Sequence, residues 1–423
     1  MLFSKIHIMK RKIVILVVLS LFFILLTMTS CTRRADWIMF RGEQGRGTTG
    51  CNIQPPIGVK WKLKLQFEEK SVPAFNPPIV IGNTIYFGSP DGNFYALDIE
   101  SGYMRWVFKT GGVINSVPFA DEENVYFGSN DGKLYAVSLK DGHEVWSFQT
   151  ESTVQSTVVR NNDSVVFTSD GGSMYFLSPE GALQYRLPNP VWHYDTFQVY
   201  ENVVYFAPGP LSRPHSLGAF DIKQKFYLWI LNTAALRATW YSFPAIKGKY
   251  LYFATCASYP NSWNLNYYCF DRRTGDLIWR YSDESYFGKG VTISADSLFT
   301  KNLKLLDYMS PSIWKNLVLY TSGDSAVRAF NARRGTVAWR HVFDQATSSA
   351  PTVAGNRIYF GLHGESSPRG GRPPKLVCLA ARNGKKLWEL ELEGAILSAP
   401  VIAGKWIIFG TDKNLFYVLE ELY

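Results

Sequence analysis

A chain of 423 residues would divide into two or three domains on length alone, but a closed array of repeats uses all of it. Aromatic residues at 15% and charged residues at 19% describe a folded, aromatic-rich β protein and exclude an intrinsically disordered one. The formal charge of +9 falls to +5 without the four cations Lys5, Lys10, Arg11 and Lys12 of the acid-free residues 1–30, and the remaining cations read as scattered surface charge with no nucleic-acid patch.

Lys10-Arg11-Lys12 precedes an apolar run over residues 13–28, followed by Thr29-Ser30-Cys31. A positive head, a short apolar core and small residues form an export signal, and the run is rather short for a membrane span. A Cys directly after small residues resembles the bacterial lipobox, in which that Cys is diacylated and becomes the first mature residue; Met28 stands where Leu is usual, and Met9 offers a second start. Residues 1–30 are therefore expected to be a lipoprotein-type signal peptide and Cys31 the lipid attachment. Residues 31–57 are expected to form a tether and N-terminal clasp, and residues 58–423 the folded body. By the same resemblance, Thr32 in place of Asp directs the protein to the outer membrane, facing the periplasm or the cell surface.

From Pro77 onward one unit recurs, most clearly over residues 124–146, NVYFGSNDGKLYAVSLKDGHEVW. Two β-prone runs flank Asn130-Asp131-Gly132, where Asp-Gly supplies the positive φ of a tight hairpin, and a third run follows Lys140-Asp141-Gly142. Apolar residues on both strand faces require a neighbour on each side. Eight starts are visible, at Asn76-Pro77-Pro78, Ser116, Ser156, Thr196, Ser242, Ser310, Ser349 and Ser398, most with Pro close behind. Proline cannot donate to a ladder, so it marks an edge strand, as the innermost strand of a propeller blade must be. The last copy stops at its third strand, and the lone segment 58–61 supplies the missing fourth. The predicted fold is all-β: an eight-bladed β-propeller of four-stranded antiparallel blades, the last closed by an N-terminal strand.

Each unit ends in an aromatic residue: Trp61, Trp106, Trp146, Tyr185, Trp229, Trp279, Trp339 and Trp388. One indole per repeat at a fixed place reads as packing between blades rather than as a sugar or quinone site. The A-x-D-x-x-T-G-x-x-x-W pattern, best kept at Ala96-Leu97-Asp98 with Ser101-Gly102 and Trp106, resembles pyrroloquinoline-quinone-like propeller repeats. The opening Asp36-Trp37-Ile38-Met39-Phe40-Arg41-Gly42 also resembles that of exported proteins carrying them.

Long interruptions at 187–195, 207–218, 231–241, 256–266, 281–309 and 363–375 fall on the face that carries the strand two-to-three and blade-to-blade connections. Trp192, His193, Tyr194, Arg213, Arg237, Trp240, Tyr241, Tyr259, Trp263, Arg369 and Arg372 give this face the Trp/Tyr/Arg mixture of binding hot spots, beside the plainer reading that they pack the loops down. The turns of the opposite face are short. No P-loop, HExxH or GxSxG occurs, and neither histidine nor cysteine spacing suggests a metal site. Cys256 and Cys269 flank one hairpin, where a disulfide and two buried thiols are both open.

Minimal size and the lipobox resemble the BamB family of outer-membrane assembly lipoproteins, which implies a protein partner, a lipid anchor, no cofactor, no metal and no catalytic residues. Quinoprotein alcohol and glucose dehydrogenases share the repeat and would imply pyrroloquinoline quinone with calcium over the central channel. The adjacent-cysteine disulfide of the alcohol-dehydrogenase branch and a calcium-ligand set are not found in the sequence. Binding of envelope glycans by the aromatic face is a third reading.

Overall fold

The structure is a computed structural model that describes residues 36–64, 76–161, 163–188, 196–207, 216–232, 240–259, 262–284, 310–364 and 371–422. These form eight antiparallel sheets arranged as the blades of a ring. Blades 1 to 8 span residues 79–109, 119–149, 159–188, 196–232, 240–284, 312–342, 352–391 and 401–421, and the strand Ile57–Lys64 completes the eighth. It runs antiparallel to Leu415–Glu421 with Trp61 opposite Val418, so the two chain ends close the ring in one sheet. The expected segment 58–61 lies inside this strand.

The repeated residues explain the repeated geometry. In blades 2, 3, 5 and 7 the serine at the start of the unit ties the entrance of the inner strand to the second strand. Ser116 Oγ accepts from the Gly128 N–H at 2.8 Å, and Ser242 and Ser349 accept from Ala254 and Gly361 at the same distance. Proline then enters an inner strand that forms the edge of its sheet. Second strands such as Thr84–Gly88 and Val165–Ser169 are buried along their whole length, as strands covered on both faces must be. The apolar clusters accordingly lie in the seams between blades: Ile85, Phe87 and Leu97 of blade 1 pack on Ile408, Phe416 and Val418 of blade 8.

In all eight outer strands the ladder to the third strand shifts register just before the aromatic residue, as between Ala96 and Leu97 opposite Trp106. This bulge turns the ring toward the next blade. Trp61, Trp106, Trp146, Trp229, Trp279 and Trp339 donate Nε1–H to the carbonyls of Ile99, Leu139, Pro179, Arg272, Ala332 and Ala381 of the following blade, at 2.9 to 3.1 Å. The glycine two or three residues beyond each carbonyl lies flat on the indole. Gly335 has φ +69°, and a Cβ there would lie 2.6 Å from Trp279 Cδ2. Trp388 packs half-buried against the cluster of blades 7 and 8.

The seam between blades 3 and 4 departs from this pattern. Tyr185 replaces the indole, Lys225 at φ +58° replaces the glycine, and the Lys225 ammonium sits 5.1 Å over the Tyr185 ring. A cleft of about 220 Å³ opens there, lined by Asn161, Asp163, Gln184, Tyr185 and Lys225 among others.

Gly335→Ala should destabilise the ring by about 2 kcal/mol or more, through both the left-handed backbone and the collision with Trp279. Trp279→Ala should cost about 3–5 kcal/mol. Denaturant melts of the purified variants check both.

The turn Asp98–Gly102 yields a second expectation. Arg105 at 2.6 Å, together with the Ser101 N–H and hydroxyl, holds the Asp98 carboxyl down to about 2. The folded value lies below the unfolded one of about 3.9, so the stabilisation is present above about pH 4 and is lost as pH falls toward 2. Solvent screens this partly exposed pair, so Asp98→Asn should cost about 1 kcal/mol or less at pH 7 and nothing near pH 2, as read from melts across that range.

Candidate functional site

Of the residues expected on the binding face, Trp192, His193, Tyr194, Arg213, Arg237 and Arg369 lie outside the described residues. Trp240 and Tyr241 form a short strand paired with Cys256 and Thr255, and Tyr259 and Trp263 stand near the tip of the blade 5 hairpin. The backbone thus brings these four into one sheet. Arg372 is exposed and pairs with Asp344 at 3.4 Å on the same face, two blades away.

Residues 256–266, expected to be a loop, prove instead to be strand on both sides of the turn. Tyr250–Tyr259 and Ser262–Asp271 are ten residues each, against five and six for Asn124–Gly128 and Lys133–Ser138. Four extra residues at about 3.3 Å carry the blade roughly 13 Å beyond its neighbours. The outer strand Leu277–Glu284 follows it, with Asn264 opposite Glu284. Alternating aromatic and polar residues such as Trp263, Asn264, Leu265 and Asn266 suit a strand as well as a loop, which is why composition alone misassigned them. Cys256 and Cys269 sit at different levels of this hairpin, opposite Leu265 and Tyr252, as separate buried thiols. Burial pushes the Cys269 thiol up to about 12 and Cys256 further, so neither is a thiolate near neutral pH.

A buried ion cluster holds the projecting blade upright. Arg328 of blade 6, fully buried, grips Asp324 through Nη1 and Nη2 at 3.1 and 2.8 Å and reaches Asp283 of blade 5 through Nε at 2.9 Å. Arg340 donates to the same Asp283 oxygen at 2.7 Å, and Tyr267 meets Ser322 at 2.7 Å beside them. The origin of the cluster is a substitution within the repeat. Arg328, opposite Tyr320, occupies the register position of Tyr95 opposite Phe87 and Tyr135 opposite Phe127. Those phenols donate to the hairpin acids Asp91 and Asp131 at 2.6 and 2.7 Å, and burial with the Asp91 bond pushes Tyr95 up to about 12. In blade 6 arginine replaces the phenol, and its remaining N–H groups recruit the next blade.

The opposite face is closed by the N-terminal segment, which touches the inner strands of all eight blades. Trp37 exchanges backbone hydrogen bonds with Val80, Ile38 accepts from Ala120, and Met39 enters the apolar cluster of blades 2 to 4. Phe40 meets Phe243 edge-on at 4.6 Å. Gly45 lies against Gln198, and Arg46 spans Ile246 and Ile313. Thr48–Thr49 runs parallel to blade 7, and Cys51 Sγ accepts from the Gly404 N–H. At its centre Arg41, 2% exposed, donates to the carbonyls of Ser310 and Pro311 and to Ser312 Oγ at 3.2, 2.6 and 2.9 Å. Positive φ at Arg41, Gly42, Gln44, Gly45 and Gly47 coils the segment tightly enough to fit the mouth of the channel.

No three His, Cys, Asp or Glu side chains among the described residues converge to hold a metal ion, and the four described cysteines are unbonded. A calcium ion would therefore find no such set of ligands among the described residues. Fold and faces define a propeller of the pyrroloquinoline-quinone-repeat class, with its channel strapped on one side and the blade 5 hairpin projecting on the other.

The sequence matches the family described as outer membrane protein assembly factor BamB over residues 59–281, 264–362 and 323–422, and the chain belongs to that family. No curated protein sequence matches it. Among solved structures the fold resembles BamB from Moraxella catarrhalis, at 14% identity and TM-score 0.61 over 86% of this chain and 99% of that one. It also resembles quinohemoprotein alcohol dehydrogenase from Comamonas testosteroni, at 15% and 0.64 over 93% and 81%. A europium-containing methanol dehydrogenase is similar at 13% and 0.62 over 91% and 98%. At these identities the likeness is one of fold.

Arg328→Leu leaves Asp324 buried without its guanidinium and should cost about 3–5 kcal/mol, whereas Arg328→Leu with Asp324→Leu should recover a large part of that loss. A double-mutant cycle of denaturant melts measures both.

Proposed function

We propose that the protein is a non-catalytic, lipid-anchored propeller of the cell envelope that binds a protein partner in outer-membrane β-barrel assembly. The observation that carries this reading is family membership across nearly the whole propeller, residues 59–422. Cys31 takes the lipid, and residues 1–30 are removed with the signal. The face that carries the long connections presents the partner site: Trp240, Tyr241, Tyr259 and Trp263 on the projecting blade 5, with Arg372 at its flank and Trp192, His193, Tyr194, Arg213, Arg237 and Arg369 from the neighbouring connections. The mixture of aromatic and arginine side chains supplies contact area and planar donors of the kind that dominate binding energy. The ion cluster beneath blade 5 keeps that surface preorganised, which lowers the entropy lost on docking.

A second reading, a quinone-dependent oxidoreductase, has one observation in its favour: solved dehydrogenases share the fold. Dye reduction by the purified protein after addition of pyrroloquinoline quinone and calcium would overturn the non-catalytic reading.

Capture of the full chain from detergent-solubilised membranes should bring down components of the barrel-assembly machinery, and their absence would refute that role. Trp240→Ala with Trp263→Ala should lower the capture at least about tenfold, the loss of one hot spot or more. Cys31→Ala should release the protein from the membrane fraction, with no lipid adduct in its mass spectrum.

A further inference from the structure

The cations that read as scattered along the sequence are sorted by the ring. On the strapped face each blade contributes two turns, one joining its first two strands and one before its outer strand. In blades 5 to 8 these turns are basic: Lys247 and Lys249, Arg273, Lys315, Arg333 and Arg334, Arg382 and Lys405, all exposed. Asp276 is the exposed acid among them, Asp271 lies 4.0 Å from Lys249, and Lys405 pairs with Glu100 of blade 1 at 3.6 Å and with Glu420 of blade 8 at 4.0 Å. No described carboxylate pairs with Arg333, Arg334 or Arg382. The same turns in blades 1 to 3 are acidic, with Glu100, Glu122, Glu123, Asp141 and Glu180 exposed. Half of this face is therefore positive and half negative, whereas the net charge alone indicates only a mild excess.

A second observation fixes what this face meets. The described chain begins here: the Asp36 carboxylate accepts from the Gly82 N–H at 2.8 Å, in the turn between the first strands of blade 1. Only five residue steps separate Asp36 from Cys31, and at about 3.5 Å per residue they reach at most roughly 18 Å. An anchor at Cys31 leaves the strapped face no place but against the membrane. Those turns of this face that meet the leaflet feel its charge within a Debye length, about 8 Å at physiological salt.

We infer that the turn face of blades 5 to 8 is a docking surface for the phosphate headgroups of an anionic membrane leaflet. The acidic turns of blades 1 to 3 stand off from the same leaflet, so the ring leans on its basic half. The projecting blade 5 hairpin, on the opposite face, extends away from the membrane toward a partner. The membrane, rather than an acidic protein, is the occupant because the anchor brings it to this face at high local concentration. The inference rests on the proposed anchoring of Cys31, but the surface can be tested without the anchor.

The chain from Thr32 onward, without the lipid site, isolates the surface from the anchor. Co-sedimentation with vesicles rich in phosphatidylglycerol should greatly exceed that with phosphatidylcholine vesicles at low salt. It should fall as the Debye length shrinks from about 10 Å at 0.1 M to about 3 Å at 1 M salt. Each surface cation contributes about fivefold, so Arg333→Gln with Arg334→Gln should weaken binding by about 25-fold with an unchanged denaturant midpoint. Lys140→Gln on the acidic half should change nothing. Equal binding to both vesicle types, no binding at low salt, or wild-type binding by the arginine pair variant would each overturn the inference; so would retention on an immobilised acidic protein without vesicle binding. A Cys31 without lipid would refute the anchoring and leave the vesicle result standing.

Discussion

A four-stranded blade with apolar residues on both faces cannot bury itself, and this molecule depends on the way it is made to bury its neighbour. The indole of one blade donates to a turn carbonyl of the next, and a glycine in that turn gives the ring room to lie flat. The bond and the burial act together: the indole removes apolar area from water, while its N–H satisfies a carbonyl that the seam would otherwise leave unpaired. Because the contact runs from each blade to the next, stability is shared around the ring until it meets itself. The strand Ile57–Lys64 closes that meeting with a hydrogen-bonded ladder, since the start of the propeller completes the sheet at its end. The seam of Tyr185 and Lys225 keeps the aromatic contact but loses the indole bond, and a cleft opens where the larger ring would have stood.

The ring gives the chain two chemically different faces. On one, short turns surround a channel mouth closed by residues 37–49, with Arg41 saturating inner-strand carbonyls at the centre. On the other, blade 5 rises above its neighbours on a network of two arginines and two aspartates, of which Arg328 and Asp324 are buried. Such a network contributes less to net stability than its number of ion pairs suggests, because desolvation offsets most of the attraction. Its effect is to fix where a long hairpin points. With the proposed anchor on the closed face, the rigid projection on the open one would make an oriented platform, in keeping with a family described by its part in assembly.

Much of the fold was legible because repetition makes weak signals add. One Tyr-Phe-Gly strand or one Gly-x-x-x-Trp turn says little, whereas eight in register give the blade count and reveal the missing strand. What stayed hidden depends on residues that only the ring brings together. Asp283 and Arg328 are 45 positions apart, and Arg328 reads as an ordinary strand residue until it is seen in the place of a tyrosine. The basic turns contribute one or two cations per repeat, far apart in sequence and adjacent only around the mouth. The blade 5 hairpin was taken for a loop because its polar residues mask a strand of ordinary alternation. The strap could be recognised as an aromatic clasp, but its path across all eight blades could not, since its Gly-rich conformation is set by the carbonyls it meets.

The central claim is that the two faces have different neighbours: a protein on the side of Trp263 and a lipid surface on the side of Arg334. Photo-crosslinking in intact membranes tests it most directly, with a photoreactive amino acid placed at either position in the full-length chain. The account predicts a discrete protein adduct from position 263 and a phospholipid adduct from position 334. Lipid adducts from 263 together with protein adducts from 334 would contradict it.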